Sequence, residues 1–469
     1  MKTIYIKTGI SPLFFSLKKA ILLGIFLLGI SCDSFVDVDL PKSQLTSDAV
    51  FADYTTANAA MADIYSKMRD AGMLTGGVNG ISVQMGNYAD ELVFYGSPSN
   101  ATVSFYTNSV LPSNTNVALL WNNAYNQIYS ANAILEGVRN SGFSTQEKAK
   151  LEGEALFVRA LLHFYLLQLF GDIPYMEITD YKVNSTVKRL AADMVYEKVI
   201  TDLKTAEGLL SPTYNSTERV RPNSFAAKAF LARVYLYMEE WQDAGKMASS
   251  VIDNNFLYLF ENNLNKVFLK NSTEAIWQFM PAITGKNTDE ASVFYFTSGP
   301  PPLLALNQSL VDSFDTSDLR KTSWISAVSN ANGKWYYASK YKEPRPTAAS
   351  LEHSIIFRLT EQYLIRAEAR AQSGDLLSAK QDLNKIRNRA GLSDTNADSK
   401  EEILEAIILE RRKELFTEYG NRFFDLKRTG KLDTFLTVKQ GWNTNDRLLP
   451  IPEIELSSNP NLKLQNAGY

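Results

Sequence analysis

Hydrophobic and polar positions along the chain fall into two kinds of stretch. From Asp48 to about Asp70, Val50, Tyr54, Ala57, Met61, Ile64, Tyr65 and Met68 recur every three or four residues, the period of a helix with one buried face. The same period predicts helices at about 117–140, 145–170, 190–210, 222–240 and 241–254, then at 355–373, 376–390 and 400–419. Gly171 and Pro174 stop the helix at 145–170, and Arg221-Pro222-Asn223-Ser224 opens the one at 222. Residues 71–116 show no such period and are rich in Gly, Asn, Ser, Thr and Tyr. Between about 256 and 354 the period fails again. There Trp277-Gln278-Phe279, Val293-Phe294-Tyr295-Phe296, Gly299-Pro300-Pro301-Pro302, Trp324 and Trp335-Tyr336-Tyr337 predict short strands, turns and long loops. The expected fold is mainly α. One domain over 48–469 has a helical scaffold at about 48–255 and 355–435, and a loop-rich insert with short β-strands at about 256–354.

Two stretches of the scaffold resemble tetratricopeptide units. One runs from Ala226 to Tyr237, turns at Glu240-Trp241 and continues through Ile252. The other runs from Tyr363 to Ala369, turns at Gly374-Asp375-Leu376 and continues from Ser378 to Arg389. A single pair cannot bury its apolar face, so stacked pairs are expected.

The first 31 residues read as a targeting segment. Lys2, Lys7, Lys18 and Lys19 precede an eleven-residue apolar run, Ala20 to Ile30, which suits a signal peptide and is too short to span a bilayer. Ser31-Cys32 follows, and then an acidic, polar stretch. A small residue and a lone Cys at this place resemble a bacterial lipobox, although Gly29 stands where Leu is usual. The resemblance implies that Cys32 is acylated and becomes the first mature residue, with 32–47 as a lipid-anchored tether. Removing residues 1–31 takes away four Lys and no acid, moving the formal charge from −3 to −7.

Composition then removes reaction classes. The only Cys at 32 and two His, at 163 and 353, cannot build a zinc knuckle, an iron–sulfur site or a Cys–His nucleophile pair. No cofactor and no metal site is expected. The charge balance contains no basic run, which argues against nucleic acid. Neither a Gly-rich phosphate loop nor a Gly-x-Ser-x-Gly turn is present. Glu410, Glu414 and Glu418 share one helix face with Arg411 and Arg412 between them, and Arg159, Arg366, Glu368, Arg387, Arg422 and Asp425 lie in or beside apolar helical runs. These charges, with His163 between Leu162 and Phe164, are read as packing groups and no catalytic residue is expected.

Glu154-Ala155-Leu156-Phe157-Val158-Arg159-Ala160 with Phe170-Gly171-Asp172-Ile173-Pro174, then Tyr363 to Ala369, and Leu383 to Gly391, in this order, resemble segments of the SusD/RagB family of outer-membrane lipoproteins. Glu410 to Leu415 with Gly420 to Arg428 follows, and the ending Leu449-Pro450-Ile451-Pro452, Asn459-Pro460 and Gln465-Asn466-Ala467-Gly468-Tyr469 closes the set, Ala467 standing where Pro is usual. The resemblance implies a SusD-like α/α superhelical scaffold and an outer-membrane lipoprotein facing the cell exterior. It also implies a SusC-like TonB-dependent transporter as partner and capture of a glycan without covalent chemistry. A peptide-capturing RagB-like protein is the alternative, and a lipid-anchored glycan hydrolase is a further one.

Aromatic loops carry the binding signal, since a sugar's C–H face lies flat on Tyr or Trp while polar side chains bond its hydroxyls. The candidate ligand-binding residues are Asn87, Tyr88, Asp90, Tyr95 and Tyr106 in one segment, and Tyr295, Trp324, Trp335 and Tyr336 in the other.

Overall fold

The computed structural model describes residues 47–469; the signal segment, Cys32 and the tether lie outside the described residues. We number the longer helices α1 (Tyr54–Asp70), α2 (Ile81–Tyr88), α3 (Thr115–Asn140), α4 (Thr145–Phe170), α5 (Ala192–Leu209), α6 (Ser224–Tyr237) and α7 (Trp241–Ile252). After the insert come α8 (Leu359–Gln372), α9 (Leu376–Arg389), α10 (Lys400–Leu415) and α11 (Asn421–Arg428). Strands are β1 (Leu92–Phe94), β2 (Ala275–Phe279), β3 (Leu304–Leu306), β4 (Ile325–Asn330), β5 (Gly333–Ala338) and β6 (Ser354–Arg358).

The scaffold helices pack in chain order: α1 on α3, α3 on α4, α4 on α5, α5 on α6 and α6 on α7. The next contact is α7 on α8, so the helical array continues across the insert, and then α8 packs on both α9 and α10. Both expected hairpins form, α6–α7 and α8–α9. Each turn needs a residue in the left-handed region, supplied by Glu239 (φ 61°) in the first and Gly374 (φ 89°) in the second. Helix α4 is the centre of this array. A Ser144–Glu147 capping box starts it, and Gly171 at φ 72° ends it. It is long and apolar enough to cross a membrane, yet its apolar stretch is wholly wrapped by its neighbours, as in a soluble core helix.

The mainly helical fold expected from sequence is thus observed, with three local differences. Helix α2 lies inside the stretch that showed no period, because all eight of its residues are buried and no polar face marks it. Residues 355–358, expected to be helical, form strand β6 instead; the β-branched Ile355 and Ile356 suit its fully buried pairing with β2. Asp289–Phe294 is a helical turn capped by Thr288, not a strand.

Three two-stranded antiparallel sheets, β1–β3, β2–β6 and β4–β5, shape the insert. Sheet β2–β6 joins the scaffold: Trp277 packs edge-to-face on Phe157 of α4 at 5.1 Å, and Phe357 stacks on Phe230 of α6 at 5.4 Å. A second core lies under the insert, where Leu92, Phe268, Trp324, Ile325 and Phe416 meet.

Charged motif residues lock these parts together. Glu414 on α10 receives Arg358 (2.7 Å), Arg389 (2.6 Å) and Arg320 (3.0 Å), all buried, which ties insert, α9 and α10 at one point. Arg159 clamps Asp202 bidentately, Arg366 clamps Asp382, and Arg411 reaches across to Asp425 on α11 at 2.7 Å. His163 accepts the Met176 N–H on Nε2 (3.0 Å), which places its proton on Nδ1 toward the Arg159 carbonyl. Stacked on Tyr175 at 3.8 Å, it is pushed down by burial to about 3. The terminal motif is a strap: Asn466 donates to the carbonyls of Phe170 and Leu449 and accepts from Arg189.

Candidate functional site

Strands β4 and β5 form a hairpin whose pleat sorts the aromatic run Trp335-Tyr336-Tyr337. Val328 opposes Trp335, Ala327 opposes Tyr336 and Ser326 opposes Tyr337, so Trp335 and Tyr337 share one face and Tyr336 occupies the other. On the first face, Tyr337 meets Tyr295 edge-on at 5.7 Å and Phe296 at 5.0 Å. The six-membered part of the Trp335 indole lies directly against Gly299, where an added Cβ would sit 2.1 Å from the ring. Asn330 holds the same loop by donating to the Gly299 carbonyl at 2.6 Å. Trp335, Tyr295 and Tyr337 remain half-buried, and the Trp335 indole N–H has no acceptor among the described residues. The arrangement is a fixed aromatic wall with a free donor at its edge. Tyr336 instead packs on the second core, with the Lys334 ammonium 5.1 Å from its ring centroid.

A cavity of about 470 Å³ lies next to the end of β1–β3 marked by the bond from the Asn307 N–H to the Glu91 carbonyl. That volume falls in the range of small-ligand sites. Asp90 and Tyr106 line it with Asn307, Ser309, Arg412 and Lys439. Arg422 holds Asp90 bidentately (2.8 and 2.9 Å), and Arg412 reaches it at 2.9 Å and Ser309 Oγ at 3.2 Å. Burial pushes the Asp90 carboxyl up, but the hydrogen bonds and charges of the two arginines outweigh it and leave the group below the usual carboxylate range. Behind it Glu91 is pushed up to about 7, chiefly by burial. Lys439 donates to the carbonyls of Asn87 and Tyr88 at the C-terminus of α2, and burial lowers its ammonium to about 7. The Tyr106 hydroxyl is raised by burial, with a smaller contribution from nearby Tyr95.

The nine candidates from sequence therefore separate. Asp90 and Tyr106 line the cavity, Tyr295 and Trp335 stand on the aromatic wall, and Tyr95 is 39% exposed at the far end of β1. Three must be withdrawn as ligand platforms. Trp324 is fully buried, donates its N–H to the Leu264 carbonyl at 3.0 Å and packs on Phe268. Tyr88 is enclosed by Phe105, Phe423 and Trp442, and Asn87 is buried with its amide bonded to the Val83 carbonyl. Tyr336 keeps partial exposure but not the same face as Trp335. Arg412, Lys439, Asn307 and Ser309 were missed, since Arg412 sits in a run of helix charges that otherwise pair inside the protein. Among the described residues, no cluster of three or more His, Cys, Asp or Glu is placed to hold a metal ion.

Comparison with known proteins places this geometry. Residues 35–236 match a family model described as starch-binding associating with the outer membrane, and residues 312–469 match the SusD family model. SusD-like protein P25 of Formosa agariphila is 25% identical, with 94% of this chain and 97% of that protein aligned. The crystal structure of a SusD superfamily protein from Bacteroides vulgatus is similar with a TM-score of 0.78 at 25% identity, covering 89% of this chain and 99% of the other. A laminarin-binding SusD-like protein shares the fold with a TM-score of 0.75 at 23% identity, covering 88% and 99%. Neither family model reaches residues 237–311, the stretch that contains Tyr295 and Gly299. Matched at both ends by these models and along nearly its whole length by SusD-like relatives, the chain belongs to the SusD family, whose members are associated with the outer membrane.

Proposed function

We propose that this protein captures oligosaccharides or polysaccharide fragments and passes them, unaltered, to a SusC-like TonB-dependent transporter. It works at the outer membrane as a lipoprotein anchored through Cys32 and facing the cell exterior. The observation that carries the reading is the aromatic wall of Trp335, Tyr295 and Tyr337, half-exposed and held in place by Gly299 and Asn330. A wall already fixed in its bound form loses little side-chain entropy when a sugar face stacks on it. The free indole N–H supplies a directional bond to a hydroxyl at the edge. The laminarin-binding relative supports a glycan as the ligand class, and buried pairing of the motif carboxylates leaves them no part in hydrolysis.

The test is a glycan array with a peptide library beside it, followed by product analysis of any glycan that binds. Binding of glycans without new reducing ends is expected. Binding of peptides alone would replace the ligand class, and released products would replace the role. The anchor is tested separately: Cys32→Ala should release the protein from membranes, and full membrane retention would refute lipidation at this residue.

A further inference from the structure

The cavity beside β1–β3 is short of acid. Among the described residues, the cavity lining contains one carboxylate, Asp90, with Arg412, Arg422 and Lys439 near it, and Asp90 already satisfies Arg422 bidentately. Arg412 gives only Nη2 to Asp90 and Ser309; its Nε is buried without an acceptor, and Nη1 has none among the described residues. Unpaired buried donors are costly, and the Arg412 side chain is only 11% exposed; Arg411 and Arg389 also leave buried donors unfilled, but of the three only Arg412 lines the cavity. Lys439 has two carbonyls and the Tyr106 ring as partners and, among the described residues, no carboxylate in salt-bridge range. Glu91, held by the Thr417 N–H at 3.3 Å, and Lys439 are both brought to about 7 by burial, and Asp446 acts on Lys439 besides Asp90, so the surplus rests chiefly on Arg412 and Arg422 against Asp90. The remaining lining is suited to a sugar ring: Tyr106 adds an aromatic ring, with the Lys439 ammonium 5.6 Å from its centroid, and Asn307 and Ser309 offer neutral hydrogen-bonding groups.

Resting on the glycan-capture reading, we infer that this cavity binds an acidic group of the glycan, a carboxylate or a sulfate ester, on Arg412 and Lys439. An anion there fills the unused Nη1 donor of Arg412, and a charge-assisted pair is roughly twice as strong as a neutral hydrogen bond. It also favours the charged form of Lys439. The surplus is local, since the chain as a whole is acidic, so selection depends on reaching this cavity and not on attraction to the surface.

The experiment is isothermal titration of the purified protein with three probes of matched length. These are galacturonic-acid oligosaccharides, sulfated galactan oligosaccharides and neutral glucan oligosaccharides, each at low and moderate salt. At least one acidic probe is expected to bind about tenfold more tightly than the neutral one, and the advantage should shrink as salt rises. Whichever acidic probe wins identifies carboxylate or sulfate as the source. Arg412→Gln should abolish the advantage and Arg412→Lys should retain part of it. Lys439→Met reduces the advantage independently, should loss of the Asp90 contact in Arg412→Gln compromise folding, which thermal melting reads. Equal affinity for neutral and acidic probes overturns the inference while leaving glycan capture standing. An acidic advantage that survives both Arg412→Gln and Lys439→Met also overturns the assignment to this cavity. Failure of all three probes to bind, with peptides binding instead, overturns both readings.

Discussion

The scaffold and the insert each use the same residue types in two opposite ways. On α10, Glu414 is ringed by three arginines and sealed from water, whereas Arg412, two residues earlier, points into a cavity with donors to spare. In the insert, Trp324 and Trp335 are eleven residues apart in the chain. The first is a core residue with its N–H satisfied; the second is a half-buried wall with its N–H free. Residue type therefore does not separate packing from binding. What separates them is whether each polar atom and ring face already has a partner inside the protein.

Breaking the sealed side should have the largest effect. Glu414→Ala leaves buried arginines without their shared carboxylate and is expected to cost about 3–5 kcal/mol, read by denaturant unfolding. A change below about 1 kcal/mol would mean that the network contributes little. Trp324→Ala should cost about as much, ~3–5 kcal/mol, through the cavity it leaves. Trp335→Ala should change the melting temperature far less, so the two tryptophans would separate in one pair of measurements. Gly299→Ala should leave the fold intact but push the Trp335 ring off its seat, weakening glycan binding severalfold in the same titration.

Near neutral pH the two histidines should have the smallest effect. His163 is pushed down to about 3 and His353 to about 4, each chiefly by burial. Their folded-state values lie below the ordinary imidazole value of about 6.5. The unfolded chain therefore binds more protons as pH falls, and the stability these neutral rings contribute is complete above about 6.5 and is lost progressively below it. Neither ring should titrate between pH 5 and 8 in an NMR pH series. A midpoint near 6.5 for His163 would contradict its place between Met176 N–H and the Arg159 carbonyl.

Much of the scaffold was legible because its signals are local. Amphipathic period, Gly and Pro stops and the paired hairpins located α3 to α10 within a few residues. Helix α2 escaped because burial on every side erases period, and β6 escaped because Ile355 and Ile356 fit a strand or a helix equally well on pattern alone. The binding face was legible as a region and not as residues. Tyr88 and Trp324 have the same composition signal as Tyr295 and Trp335, and only the tertiary neighbours (Trp442, Phe268, Leu264) decide which are covered. Arg412 was hidden for the converse reason. Its neighbours Glu410 and Arg411 pair with Arg320 and Asp425, and although Arg411 also keeps unfilled donors, nothing in the run marks Arg412 as the cation that lines a cavity.

The central claim is that the Trp335 wall captures glycans while the motif charges only hold the fold. Its most direct test is calorimetric titration of a glycan that binds the wild-type protein into Trp335→Ala, with melting curves recorded on both. At least about tenfold weaker binding is expected, in line with loss of a central aromatic anchor, with a nearly unchanged melting temperature. Undiminished affinity in a folded Trp335→Ala protein would contradict that claim.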